Sequence, residues 1–517
     1  MFVANSASRQ THIAPFRKGS VALAVVLAVL VWGQVPLMAQ NRAADPRANE
    51  ELSFSLEILD AQAFQPQTNQ TLAYPGYSDV IGNPTRTGAF ADGASVLVIR
   101  LSPLWWSEWN TTPVTFTIAA TAGTAANDGM PDCIGSISAA FPSLPAPDTG
   151  PGLGDVVVTI AANSPKVVYY RPPNNFLFGV GSASSAPYYG TITVTATGIP
   201  GPPVTKDISV VRPTLFLNHG INSSPSTWSA FGHDIDGSGL TGSLRVLLVN
   251  WSNMNSSGFD EITPVLVSSV SREITYQQAL NGIAATRVDV CGHSAGGEMV
   301  KFWAADFGAG GLPRPAGWPA FSSAGNPYKT ASTFGLGGIR RFVSIGSPFR
   351  GSLWSDFIVL NFSYPIVSAG AGLVMTGDET LIADLGELSS FTGLTAPTRP
   401  QISWFPIVGI AQPKPFDALG GGTLGQLILK LIILPEYWAG QLGFNSGNSD
   451  WVVQWPSQVD SPHPGTLPGT NAMIGNDTHN DETSDVGVWQ EVMKSIDLYQ
   501  GGAGGYGPGY TLFNSNL

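Results

Sequence analysis

The sequence predicts an α/β fold, a mostly parallel sheet with helices on both faces, preceded by an all-β sandwich. Three observations carry this. After Pro213, short apolar runs alternate with helical patterns, as in a parallel sheet covered on both faces. Before Arg212, short runs of period two are separated by Gly/Pro/Asn/Asp clusters, with no helical pattern between them, which suggests a sandwich. Within the second pattern, residues 287–303 read as strand, tight turn and helix.

The chain has 517 residues, enough for two domains and a large core. A net charge of −12, with only 12% charged residues, argues against a polyanion partner such as nucleic acid. The 60 Gly and 40 Pro imply many turns. The two cysteines, Cys133 and Cys291, lie in different segments, so the fold does not rest on a disulfide. Cys291 reads as a small buried hydrophobe.

At the N-terminus, Arg9, Arg17 and Lys18 precede an uncharged run over 21–32 and then Leu37-Met38-Ala39. That order of charge, apolar core and small residues predicts a signal peptide over 1–40 and a secreted chain, extracellular or periplasmic. A retained N-terminal anchor is the alternative. No second run of 18 apolar residues follows, so no transmembrane span is expected in the mature chain.

The β domain is expected over 41–212, beginning with a polar linker to about residue 50. Leu52, Phe54, Leu56 and Ile58 then alternate with polar residues, and further strands read over 95–101, 114–119, 155–160, 167–170 and 191–196. The Ala91-Asp92-Gly93 segment loosely resembles bacterial immunoglobulin-like modules. Trp105, Trp106 and Trp109 form either a polymer-binding strip or an aromatic patch packed at a domain interface.

The second domain is expected over 213–500. Its strands include Leu215 to Leu217, 246–249, 341–345 and 404–410. Ile262, Leu266, Val270 and Ile274 mark one helix face, and Val300, Trp303, Ala304 and Phe307 another. Trp489, Val492, Met493 and Ile496 mark a last helix from about Asp485, with Ser484 as its cap. Two nearly uncharged segments, 354–375 and 423–438, read either as lid-like insertions or as ordinary core helices. Residues 501–517 read as a frayed Gly-rich tail.

The turn Gly292-His293-Ser294-Ala295-Gly296, set between strand and helix, is the nucleophile-elbow pattern of the α/β-hydrolase fold. Such a turn leaves no room for Cβ atoms at its glycines and pushes Ser294 outward. A serine nucleophile needs a base, and an acid to orient that base, in the chain order Ser, Asp or Glu, His. Only His463 and His479 follow the turn. His463 is locked in Ser-Pro-His-Pro, whereas His479 lies in a loop directly before the last helix and is the preferred base. Asp417, Asp450 and Asp460 are the contenders for the acid.

Asn448-Ser449-Asp450-Trp451-Val452-Val453, with Ser457 beyond it, resembles the Asn-Asp-Gly-Val-Val…Ser stretch of secreted bacterial lipases. That resemblance implies Asp450 as triad acid, although Trp451 replaces the usual Gly; Asp460 is the runner-up. Asn218-His219-Gly220-Ile221 is similar to a Val-His-Gly-Leu segment, implying the Ile221 amide as an oxyanion donor beside that of Ala295. Gly346-Ser347-Pro348-Phe349-Arg350-Gly351-Ser352 resembles Gly-Thr-Pro-His-x-Gly-Ser, with Phe349 at the position of the His. His479-Asn480-Asp481-Glu482 resembles a His-x-Asp-Glu stretch whose Asp binds calcium in some relatives. Asp481 is only one ligand where calcium takes six to eight, so a metal stays open. Over residues 213–499 the likeness is to secreted triacylglycerol lipases and esterases.

What the resemblance implies is a serine carboxylic-ester hydrolase using Ser294, Asp450 and His479, foremost a lipase on acylglycerol esters, needing no cofactor. Its partners would be a small-molecule or lipid ester and a lipid–water interface. A short-chain esterase or an extracellular polyester depolymerase would use the same residues. An adhesion protein with an inert hydrolase fold is the alternative from another class.

Overall fold

The alternation that starts at Leu52 becomes β1 (Phe54–Asp60), burying Phe54, Leu56 and Ile58 because a strand points successive side chains to opposite faces. The computed structural model describes residues 54–61, 85–103, 114–122, 135–145, 156–160, 166–174, 189–197, 202–221, 223–231, 244–254, 257–304, 328–352, 355, 384–385, 402–410, 472–475, 479, 482–496 and 511–513. Residues 1–40, expected to be a signal peptide, Cys133, the three clustered tryptophans and nearly all of both apolar segments lie outside them. Among the described residues, no helix is long and apolar enough to cross a membrane.

Among the described residues, eight further strands precede Arg212: β2 (Gly88–Phe90), β3 (Leu97–Pro103), β4 (Val114–Ala122), β5 (Ser136–Ser138), β6 (Val156–Ile160), β7 (Lys166–Arg171), β8 (Tyr189–Thr197) and β9 (Val204–Val211). After it come β10 (Leu215–Asn218), β11 (Val246–Val249), α1 (Phe259–Ala279), β12 (Ile283–Ala284), β13 (Val288–His293) and α2 (Ala295–Ala304). The chain continues with β14 (Ile339–Ile345), β15 (Ile402–Ile410), β16 (Ala472–Gly475), α3 (Val486–Ser495) and β17 (Thr511–Phe513).

The early strands form two sheets, in the orders β1-β3-β7-β5 and β12-β2-β9-β8-β4-β6. Their facing side chains share one apolar cluster, with Leu56, Ile99, Val168 and Tyr170 from the first sheet and Ile192, Val194, Ile208 and Val210 from the second. The second sheet does not end with the early segment. β12, which directly follows α1, pairs in parallel with β2.

The third sheet has the order β11-β10-β13-β14-β15-β16, every one of these pairs parallel, and β17 adds antiparallel to β15. Register explains how it is covered. Phe216, Val290, Phe342 and Trp404 stand opposite one another across four strands and join the core shared with α1 and α2. The next row, Leu217, Cys291, Val343 and Phe405, faces the other way and meets Val488, Trp489 and Val492 of α3. Each such buried side chain is worth roughly 1.5–3 kcal/mol. Cys291 is a free, fully buried thiol in that second row, which makes it a packing residue.

One local expectation needs correction. Asp485 caps α3, accepting from the Gly487 and Val488 amides at 2.6 and 3.1 Å. An aspartate at the helix start satisfies two otherwise orphaned amides, and the expected cap, Ser484, does not take that place.

From β10 the chain passes outward to the edge strand β11, while from β13 it proceeds the other way to β14. Strand order therefore reverses between β10 and β13. In open parallel sheets, ligand sites lie beyond the carboxyl ends of the strands at such a reversal.

Candidate active site

At that reversal β13 ends in His293, α2 begins at Ala295, and Ser294 alone forms the joint, with φ +53. Left-handed backbone costs a residue with a Cβ about 1–2 kcal/mol, so the surroundings must enforce it. The glycines show how. A Cβ on Gly292 would sit 2.7 Å from Gly297 Cα, and one on Gly296 would sit 2.4 Å from the Asn218 carbonyl oxygen. A third glycine, not singled out in the sequence, matters equally: a Cβ on Gly297 would lie 2.0 Å from Ser347 Oγ. The Ser294 amide donates to the Ile345 carbonyl at 2.9 Å, tying the turn to the end of β14.

The 218–221 loop rides directly over this turn. A Cβ on Gly220 would come within 2.8 Å of Ser294 Cβ. Asn218 fastens the loop, donating from Nδ2 to the Gly296 carbonyl at 2.8 Å and accepting from Trp251 Nε1 at 3.0 Å. The His219 ring stacks on Trp251, with centroids 4.5 Å apart. Its Nδ1 donates to the Gly220 carbonyl at 2.8 Å while Nε2 accepts from the Trp251 amide at 3.3 Å. Both contacts suit the neutral ring, and burial lowers the His219 pKa. His219 is thus a fastening group rather than a base. Ile221 follows this loop, packed against the core. Ala295 opens α2, where the first amides lack intrahelical partners; those amides and the helix dipole favour negative charge.

His479 is buried, its ring 4.7 Å from that of His293. His293 Nε2 donates to the His479 carbonyl at 2.9 Å. Burial, and then the nearness of His479, push the His293 pKa well below the usual imidazole range. Beside both rings is the fully buried Glu482. Its Oε2 is 3.4 Å from His293 Nε2 and 3.8 Å from His479 Nδ1. Among the described residues, no hydrogen bond joins Ser294 Oγ to His479.

Sequence reasoning missed His293 and Glu482. The only signals were the residue before the serine and an acid three positions after His479. Asp417, Asp450, Asp460, His463 and Asp481 lie outside the described residues. Phe349 is a core residue, edge-on to Phe342 and Trp404. The ligand atoms of His293, His479 and Glu482 all lie within 4.8 Å of one another. Of these three, His293 Nε2 carries the proton it donates to the His479 carbonyl.

No family model matches the chain, and no curated protein matches it. Solved structures similar to it include lipases and esterases. A lipase from Bacillus licheniformis in its mature form is 15% identical over 52% of this chain and 85% of its own, with TM-score 0.33. Lipase 1 from Pelosinus fermentans is 11% identical over 53% of this chain and 93% of its own, with TM-score 0.33. Phospholipase PlaB from Legionella pneumophila is 14% identical over 47% of this chain and 45% of its own, with TM-score 0.29. The chain thus spans under half the length of that phospholipase.

Proposed function

We propose that the chain is a secreted serine carboxylic-ester hydrolase, foremost a lipase cleaving acylglycerol esters. One observation carries the reading: Ser294, a residue with a Cβ, held at φ +53 between a parallel strand and a helix, beneath the Gly220 loop. Backbone held in this way clusters at functional sites, and this one stands where strand order reverses.

In the proposed reaction Ser294 Oγ attacks the ester carbonyl carbon and its proton passes to the ring of His479. The oxyanion is met by the amides of Ala295 and Ile221, each worth on the order of 10²–10³ in rate. The alkoxide leaves with the proton from His479, and water repeats the sequence to release the acid. An acid that orients His479 completes the set, and Asp450 is the residue the sequence nominates. The export signal, the immunoglobulin-like character of the early β region and the lid role of the apolar segments belong to the same proposal.

A fluorophosphonate probe tests it. The folded chain is expected to label at Ser294, and Ser294→Ala not at all; a folded, silent wild type ends the serine-hydrolase reading. A chain-length series of p-nitrophenyl esters with emulsified triglyceride then sorts the substrates. Hydrolysis confined to short soluble esters moves the reading from lipase to esterase.

A further inference from the structure

We propose that Glu482 is a positioning residue for His479, holding the Nδ1 side of that ring whatever Asp450 contributes; this rests on the hydrolase reading above. A carboxylate is almost never fully buried unless it is paired. Glu482 is fully buried, and both imidazoles of the site stand around the same oxygen, His293 Nε2 at 3.4 Å and His479 Nδ1 at 3.8 Å.

The arrangement separates two jobs. His293, kept neutral by burial, donates its Nε2 hydrogen to the His479 backbone carbonyl and so fixes where the loop stands. Glu482 then faces the side of the His479 ring opposite the atom that takes a proton from serine. An acceptor oxygen there selects the tautomer with hydrogen on Nδ1 and, when ionised, favours the imidazolium formed during attack. The gap of 3.8 Å is long for a hydrogen bond, as is common before substrate closes a site. The loop carrying both residues is also tied across the site, since Thr227 Oγ1 and Thr483 Oγ1 are 3.4 Å apart. Among the described residues, the titratable groups around the His479 ring include Glu482 from its own loop and His293 from the end of β13, with His219 of the Gly220 loop acting on His293.

The test is the pH profile of ester hydrolysis for wild type, Glu482→Gln and Glu482→Asp, beside Asp450→Asn. Glu482→Gln is expected to lower kcat about 10- to 100-fold with KM nearly unchanged. Losing the anion makes the imidazolium harder to form, so the acidic limb of the kcat profile moves to lower pH. Glu482→Asp keeps the charge at a greater distance and is expected to restore part of both effects. A folded Glu482→Gln with wild-type kcat and an unmoved acidic limb overturns the proposal. Should that variant not fold, Glu482→Met, which also removes the carboxylate, decides, and a wild-type kcat with an unmoved limb there overturns it too. If the wild type neither hydrolyses esters nor reacts with a fluorophosphonate, the hydrolase reading itself has failed.

Discussion

The two ends of the parallel sheet use buried polar groups for opposite purposes. At the carboxyl ends of β10 and β13, histidines, Ser294 and Glu482 gather around a strained turn. At the amino ends, the buried charges Arg340 and Asp92 each hold several partners. Arg340 makes a paired contact with Asp289, at 2.8 and 2.5 Å, and its remaining nitrogen reaches the carbonyls of Ala91 and Asn174. Asp92 accepts from the Thr286 and Arg287 amides at 3.2 and 2.9 Å, and also holds its own turn through the Ala94 and Ser95 amides. The Arg287 side chain donates back to the Asp92 carbonyl. The first end holds a strained turn, and the second locks the early β region onto the sheet.

The largest expected effect separates the ends outright. Ser294→Ala should lower ester hydrolysis on the order of 10⁴-fold or more while leaving Tm nearly unchanged, since Ala keeps the Cβ and with it the same backbone strain. Steady-state kinetics beside thermal unfolding decides it; a fall in Tm would mean the turn is structural.

At the other end, Asp289→Ala leaves Arg340 buried without its carboxylate, and should cost about 3–5 kcal/mol with kcat per folded molecule unchanged. Replacing both partners by apolar side chains, as in Asp289→Leu with Arg340→Met, should recover much of that in a urea titration. The same lock predicts that a chain lacking 41–212 does not fold, although the proposed catalytic residues all follow Pro213. A soluble, probe-reactive truncation would show that the two regions are separable.

Gly297→Ala should cost about 1–3 kcal/mol through overpacking against Ser347, and Ser347→Gly in the same chain should relieve it. No rescue would place the strain elsewhere in the turn. His293 gives the comparison a pH axis. Its folded pKa lies below the unfolded value near 6.5, so its contribution is present above that pH. It is lost as pH falls, because the unfolded chain takes up the proton first. Tm should therefore decline below about pH 6.5, and less steeply in His293→Gln; identical slopes would remove His293 from the account. The smallest effect lies outside both ends: Asp485→Ala should cost about 1 kcal/mol as a lost cap, measured by thermal unfolding, without changing activity.

The sequence by itself determined the pieces whose cause is local. Period two marked β1, apolar runs marked β10, β11, β14 and β15, and i, i+4 spacing marked α1, because one buried face dictates each pattern. Gly292 and Gly296 marked the serine turn, since a backbone without Cβ atoms is a local demand. Tertiary structure alone decided the rest. β12 is two residues long and pairs with β2, nearly 200 positions earlier; no pattern of two residues can announce that. Gly297 is required by Ser347 and Gly220 by Ser294, contacts made only when strands meet. Glu482 reads as one more acid in a loop of acids until burial places it beside His293 and His479. Pairing across a fold is set by the register of distant strands, and a single chain read along its length carries no record of which of its charges will be taken out of water together.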